Sequence, residues 1–309
     1  MLRTASALAV LCCVIPAPLF AQADGGVKVG PLTLAGYLQA DSLWGVEEGP
    51  QDEADTFRIR RARLGVLGDA AERLAWTISL DLTDRASPLR DAHITFKAAP
   101  WLHVRAGQFP VPFSHERLSS TSRLELIDRT LDPLLPSRDI GVSLRSERPL
   151  AGWVSYALSL VNGAGPNTLD DNDAKDVFGR ITVSPPAFDR MTFSAAAGTG
   201  RQPWGRRDRY SADVEIRSGA FHVLAEYSRE RREGLPVGQG VYVLGARRTG
   251  PWEIVGRVSR LEYDALGRTR VDAGGNYYFA GYTRLMANLH LYTNEPRATG
   301  VIVRMQIAF

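Results

Sequence analysis

Gly300-Val301-Ile302-Val303-Arg304-Met305-Gln306-Ile307-Ala308-Phe309 closes the chain. Val301, Val303, Met305 and Ile307 alternate with Arg304 and Gln306, and the stretch stops on an aromatic residue. A period of two sends alternate side chains to opposite faces of an extended segment. A strand of a membrane barrel needs one of those faces apolar for lipid and the other polar. An edge strand of a soluble sheet can share the pattern, so the decision rests on the rest of the chain.

At the other end, Arg3 precedes an apolar run from Ala7 to Ile15, and Ala21-Gln22-Ala23 offers a small-x-small cleavage site before Asp24. Residues 1–23 therefore read as a secretory signal peptide, with an apolar core well short of the ~20 residues that a spanning helix needs. The expected mature domain is 24–309. Both cysteines, Cys12 and Cys13, fall inside the leader, so the mature chain is expected to form no disulfide and no thiolate metal site.

No run of about 20 apolar residues follows, which argues against helical membrane spans. Hydrophobic residues are nonetheless 44% of the chain, with a mean hydropathy of −0.15. Segments with one apolar and one polar face give that balance. No proline- or serine-rich linker divides the chain, which predicts one continuous domain.

About sixteen segments of eight to twelve residues repeat the alternation, with turn residues between them. Leu74, Trp76, Ile78, Leu80 and Leu82 form one stripe; Ala92, Ile94 and Phe96 form the next; Phe221, Val223, Ala225 and Tyr227 form a later one. Short connectors near Asp69–Ala71, Ala99–Pro100, Glu147–Ala151, Ser218–Gly219 and Gly250–Pro251 alternate with longer ones at Gly45–Asp55, Pro110–Ser137 and Asn162–Asp176. Outer-membrane barrels alternate short periplasmic turns with longer external loops in this way. Closure is also demanded physically, since an open sheet edge in hydrocarbon leaves backbone groups unpaired. The fold class that follows is all-β: a transmembrane antiparallel β-barrel of about 16 strands, located in the outer membrane and contacting its lipid.

If the stripes face lipid, the intervening positions line the interior, and arginine dominates them. Of 37 lysines and arginines, only Lys28, Lys97 and Lys175 are lysines, leaving 34 arginines. Alternation turns inward Arg58, Arg60, Arg105, Arg145, Arg180, Arg209, Arg217, Arg247, Arg257, Arg270, Arg284 and Arg304, against fewer acids: Asp81, Asp91, Asp213, Glu215, Glu226, Glu253 and Asp272. A surplus of guanidinium groups attracts anions and matches their oxygens bidentately. The same arginines could equally brace the wall by pairing with those carboxylates. In Phe57-Arg58-Ile59-Arg60-Arg61-Ala62-Arg63-Leu64 the apolar positions switch from odd to even. A bulge near Arg60–Arg61 would let Arg58, Arg60, Arg61 and Arg63 all face inward, sparing about 2–4 kcal/mol for each arginine otherwise placed in lipid near mid-depth. The chain's net charge of +3 is too small to suggest a nucleic-acid partner.

This arginine run resembles the early-strand signature of the phosphate-selective porins O and P of Gram-negative outer membranes. Leu80-Asp81-Leu82, Leu89-Arg90-Asp91-Ala92-His93-Ile94, Val104-Arg105-Ala106-Gly107-Gln108-Phe109, Pro112-Phe113, Arg138-Asp139-Ile140-Gly141-Val142 and Val161-Asn162-Gly163 carry the resemblance across residues 55–165. It implies a sixteen-stranded homotrimeric channel whose third external loop, here Pro110–Ser137, folds inward to narrow the pore. His115, Arg117, Arg123 and Arg129 are the bases of that constriction loop. Family members usually carry lysine after Gly-Gln-Phe, but Pro110 stands there in this chain. Acidic Glu116, Glu125, Asp128 and Asp132 also lie in the loop.

The resulting expectation is a porin for passive diffusion of small anions, with phosphate and polyphosphate as candidate solutes, and with no cofactor and no metal. The pore-lining residues would be Arg58, Arg60, Arg61, Arg63, Arg105, Arg145 and Arg180. The alternative is a structural or adhesive outer-membrane barrel with an occluded lumen. An enzyme is disfavoured, because the five histidines are scattered and no motif joins them to a serine. Asp170-Asp171-Asn172-Asp173 lacks the glycine and the terminal glutamate of a calcium loop and reads as a solvated external loop.

Overall fold

The computed structural model describes residues 26–45, 55–170, 172–264, 266–293 and 299–309. The expected leader, most of the Gly45–Asp55 connector and Asp171 lie outside the described residues. The strands are β1 Val27–Val29, β2 Leu32–Trp44, β3 Thr56–Ala71, β4 Leu74–Asp81, β5 Leu89–Ala99, β6 Leu102–Pro110, β7 Arg138–Arg145, β8 Val154–Val161 and β9 Asp176–Val183. They continue as β10 Met191–Gln202, β11 Gly205–Ser218, β12 Phe221–Arg232, β13 Gly238–Thr249, β14 Trp252–Tyr263, β15 Leu266–Ala280, β16 Thr283–Tyr292 and β17 Thr299–Ala308.

Each strand from β2 to β17 pairs antiparallel with its neighbours in sequence, and β17 pairs back onto β2 from Val301↔Trp44 to Ala308↔Tyr37. Sixteen strands thus close on themselves and leave no edge for hydrocarbon to meet. Beyond that seam, Phe309 and Gly36 exchange two backbone hydrogen bonds of 2.9 and 3.0 Å. The short β1 continues the same side of β2 from Leu32 to Leu34.

The stripes read from the sequence are the outer surface. Ile78, Leu80, Ile94, Phe96, Leu158, Leu160, Phe193, Val223, Leu285, Val301, Met305 and Ile307 are all exposed, while their strand neighbours Ser79, Asp81, Thr95, Ser159, Ser194, Leu224, Arg304 and Gln306 are buried. This is a soluble protein turned inside out, as a barrel in lipid requires. Aromatic residues collect at both rims: Trp44 meets Phe57 edge-on at 6.5 Å at one end, and Trp252 meets Tyr277 at 4.7 Å at the other.

The parity of the connectors holds, but their lengths differ from the expected pattern. The β10–β11 turn is Pro203-Trp204, and β15 begins at Leu266 soon after β14 ends at Tyr263, so two links at the long-loop end are short. Long connections at that end belong mainly to the first half of the chain.

The 111–137 loop is the largest described connection, and most of it is buried. Phe113, Leu126, Leu131 and Leu134 join inward-facing Phe178, Leu224, Tyr242, Leu244, Ala246 and Val255 in one apolar cluster. Phe113 meets Phe178 edge-on, with ring centroids 6.1 Å apart. The wall is shaped for the contact: a Cβ on Gly240 would stand 2.5 Å from Leu131 Cδ2, and one on Gly238 would stand 2.7 Å from Leu134 Cδ2. β13 turns apolar Tyr242, Leu244 and Ala246 inward, and one expectation is corrected here. In the same register Arg247 points outward beside Val241 and Val243, with its guanidinium 5.3 Å from the Phe221 ring centre, and Arg248 takes the inward position.

Candidate functional site

The bulge expected in β3 is present. Gln39 pairs with Arg61 and Ala40 with Ile59, so Arg60 is the extra residue between them. The register sets Arg58 opposite Asp41, Arg61 opposite Gln39 and Arg63 opposite Tyr37, all three being buried inward residues of β2. Arg58 Nε lies 3.3 Å from Asp41, and Arg63 Nε donates to Asp81 at 2.9 Å. Arg60 and Arg61 are different. Both line a small polar cavity of about 170 Å³ shared with Thr121, Asp128, Arg129, Asp132 and Arg270, and the buried Arg60 Nε has no hydrogen-bond partner.

Arg105, Arg145 and Arg180 line a larger interior cavity of about 1670 Å³, which reaches from the 111–137 loop to the short-turn end. Arg180 bonds Asp213 at 2.8 Å. Among the described residues Arg105 reaches only Thr95 Oγ1, at 3.4 Å. Among the described residues, Arg60, Arg61, Arg105 and Arg145 have no carboxylate within ion-pair distance, unlike most of the interior arginines.

Alternation overlooked several of the carboxylates responsible for that pairing. Asp41 binds Arg304 and Glu230 binds Arg209 at 2.9 Å, whereas Asp91, which alternation did turn inward, binds Arg138 at 3.0 Å. Arg257 bridges Asp272 at 2.8 Å and the loop carboxylate Glu116 at 3.2 Å. Asp41 lies in one of the strands whose alternation is least clean, while Glu116 comes from a loop where period two carries no information.

The bases of the loop are largely occupied by the loop itself. Arg129 donates to the carbonyls of Glu116 at 2.9 Å and Ser119 at 2.7 Å. Arg117 donates to those of Asp132 and Leu135 and lies 3.4 Å from the Asp132 carboxylate. Arg123 sits over the Tyr282 ring at 5.2 Å. His115, in the single helical turn His115–Leu118, lies 3.7 Å from Asp213. Burial pulls the Arg129 guanidinium down to about 10 although Asp132 opposes the shift. Burial alone would raise the Asp128 carboxyl, but Arg304, His290, Arg60 and Arg270 around it hold it below its ordinary value.

Wall side chains hold this loop on many strands. Gln306 donates to Ser122 O at 2.8 Å, Arg284 to Leu124 O at 2.5 Å, Asn276 to Glu125 O at 2.8 Å, and Arg257 to Asp128 O at 2.8 Å. Ile127 N donates to Asn288 Oδ1 at 2.7 Å, and the Tyr37 hydroxyl pairs with Thr121 Oγ1 at 2.6 Å. The loop is therefore fixed to inward side chains of β2 and of β14–β17.

A family model described as phosphate-selective porin O and P matches residues 33–204, more than half of the chain. The chain belongs to that family. The match covers β3, its arginine bulge and the 111–137 loop. An uncharacterized protein of Caulobacter vibrioides is 28% identical over 137 residues, covering 41% of this chain and 27% of that protein, so the chain matches well under a third of that relative's length. Among solved structures, an anion-selective porin from Comamonas acidovorans aligns with a TM-score of 0.67 at 15% identity, over 90% of this chain and 99% of that one. OmpF of Salmonella typhi in complex with daunomycin aligns at 0.66 and 13% identity, covering 90% and 97%. The trimer form of OmpT of Vibrio cholerae aligns at 0.62 and 13%, covering 91% and 100%. At such identities these structures speak for the fold. Family and fold together mark the chain as an outer-membrane β-barrel of porin type.

Proposed function

We propose that the barrel is a passive channel that prefers anions. The supporting observation is the set of interior guanidinium groups without a carboxylate partner among the described residues, Arg60 and Arg61 at the bulge and Arg105 and Arg145 on β6 and β7. Paired arginines contribute little net field, whereas unpaired ones in a confined lumen raise the local anion concentration. Solutes would move down their gradients without covalent chemistry. They would be admitted by charge and released because no single arginine binds strongly. The 111–137 loop, tethered to wall side chains, would narrow the passage, and its bases would act mainly by bracing the loop. Phosphate or polyphosphate is the candidate solute in view of the family. A homotrimer exported by a cleaved leader completes the reading, and the trimer form described for the structurally similar OmpT supports the assembly.

The apolar packing of the loop against β9, β12, β13 and β14 favours a second reading, a sealed structural barrel. The cavity of about 1670 Å³ favours the channel. Planar-bilayer recording separates them: steady ohmic current supports the channel, and silence from a folded, heat-modifiable barrel supports the seal. A reversal-potential series with chloride, phosphate and a dicarboxylate then ranks the solutes.

A further inference from the structure

Five arginines point away from the interior at the long-loop end of neighbouring strands: Arg201 on β10, Arg206 on β11, Arg229 and Arg231 on β12, and Arg260 on β14. All are exposed. Each shares the parity of a lipid-facing stripe, Arg229 and Arg231 extending the row of Val223, Ala225 and Tyr227. The ladder gathers them, with Arg201 opposite Arg206, Tyr210 opposite Arg229 and Asp208 opposite Arg231.

Their depth follows from the strand. Arg229 and Arg231 are eight and ten residues beyond Phe221 at the opposite rim, which at about 3.4 Å per residue and a tilt near 40° is roughly 21–26 Å. The apolar band of such barrels is about 25 Å tall, so Arg231 sits at its outer boundary and Arg229 about 4 Å beneath it, within the reach of a long side chain to the headgroups. Tyr210 and Tyr227 mark that boundary immediately beneath them, as aromatic residues at headgroup level do.

The row is only partly neutralised. Arg206 lies 3.0 Å from Asp208 and Arg260 lies 2.7 Å from Glu262. Arg201, Arg229 and Arg231 make no ion pair among the described residues. A rim serving solubility alone would mix the signs more evenly. Across the barrel, the outward positions at the same end are Trp44, Phe57, Ile59, Leu160 and Val177, which are apolar. Among the described strand positions, the outward arginines at this end are thus those of β10–β14.

We infer that this rim is a docking face for the phosphate groups of anionic lipid in the outer leaflet. An arginine fork matches phosphate oxygens bidentately, and a basic row at the headgroup level of a negatively charged surface is attracted to it. The face lies outside the lumen, so this role is independent of ion selectivity.

The test uses the full barrel folded in detergent and native mass spectrometry to count retained lipid, comparing diphosphorylated lipid A with its dephosphorylated counterpart. The expected result is a several-fold preference for the phosphorylated form, lost in R201S/R229S/R231S and kept in R247S, whose arginine faces lipid near the opposite rim. The variant R201K/R229K/R231K keeps most of the preference because the charges remain, and it covers the case in which the serine variant fails to fold. Equal retention of both lipids by the unaltered protein would overturn the inference. So would a folded serine variant, or a lysine variant, that departs from the stated pattern.

Discussion

Arg304 grips Asp41 with two hydrogen bonds across the seam of the barrel, Nε to Oδ1 at 2.6 Å and Nη2 to Oδ2 at 2.8 Å. The two residues stand directly opposite each other where β17 meets β2, and neither side chain is exposed. Arg304 Nη1 also donates to Ile127 O at 3.1 Å. One guanidinium group therefore ties the first long strand, the last strand and the 111–137 loop together.

Removing one member of this pair leaves a buried charge without its partner, a loss of about 3–5 kcal/mol. Asp41→Asn is expected to lower the stability of the folded barrel by that order, read from its urea midpoint in lipid vesicles. Asp41→Asn combined with Arg304→Gln is expected to lose less than Asp41→Asn alone. A double variant as unstable as the sum of the two single ones would mean that the contact is incidental.

Gly240 leaves room for Leu131, whose side chain is fully buried and cannot step aside without moving the loop. Gly240→Leu is expected to lift the loop from β13 and to raise single-channel conductance or its noise. An unchanged conductance in a folded variant would show that the loop does not narrow the passage.

Much of this organisation is legible in the sequence. Every strand that touches lipid on one face and polar groups on the other has a phase, and the phase shift between Ile59 and Ala62 places the β3 bulge. Legibility fails where both faces are apolar. Val241, Tyr242, Val243 and Leu244 run without alternation, because the loop covers the inner face with leucines while lipid covers the outer one. No local signal decides which of Arg247 and Arg248 points inward; the docking of Leu131 and Leu134 onto Gly238 and Gly240 decides it. The pairing of interior arginines is equally hidden, since Glu116 and Asp41 reach Arg257 and Arg304 only through tertiary contact.

The loop also carries an acid-sensitive contact. His222 Nδ1 and Glu125 Oε1 are 2.6 Å apart. Burial alone would raise the Glu125 carboxyl, but the His222 hydrogen bond and the charges of His222 and Arg217 outweigh it and hold it below the ordinary 4.5. A depressed carboxyl contributes stability above its unfolded value and loses it as pH falls through the folded one. Loop anchoring is thus expected to weaken as pH falls below about 4.5, seen as rising current noise in bilayers. Glu125→Gln is expected to abolish that acid dependence, and a wild-type transition near neutral pH instead would contradict the assignment.

The unpaired interior arginines are the source of the proposed selectivity, and the reversal potential under a potassium chloride gradient tests them most directly. The unaltered channel is expected to reverse on the anion-selective side. Arg60→Ala, Arg61→Ala, Arg105→Ala and Arg145→Ala together are expected to move the reversal potential toward zero while the barrel still assembles and conducts. A folded quadruple variant with the wild-type reversal potential, or a wild-type channel that prefers potassium, would contradict the account.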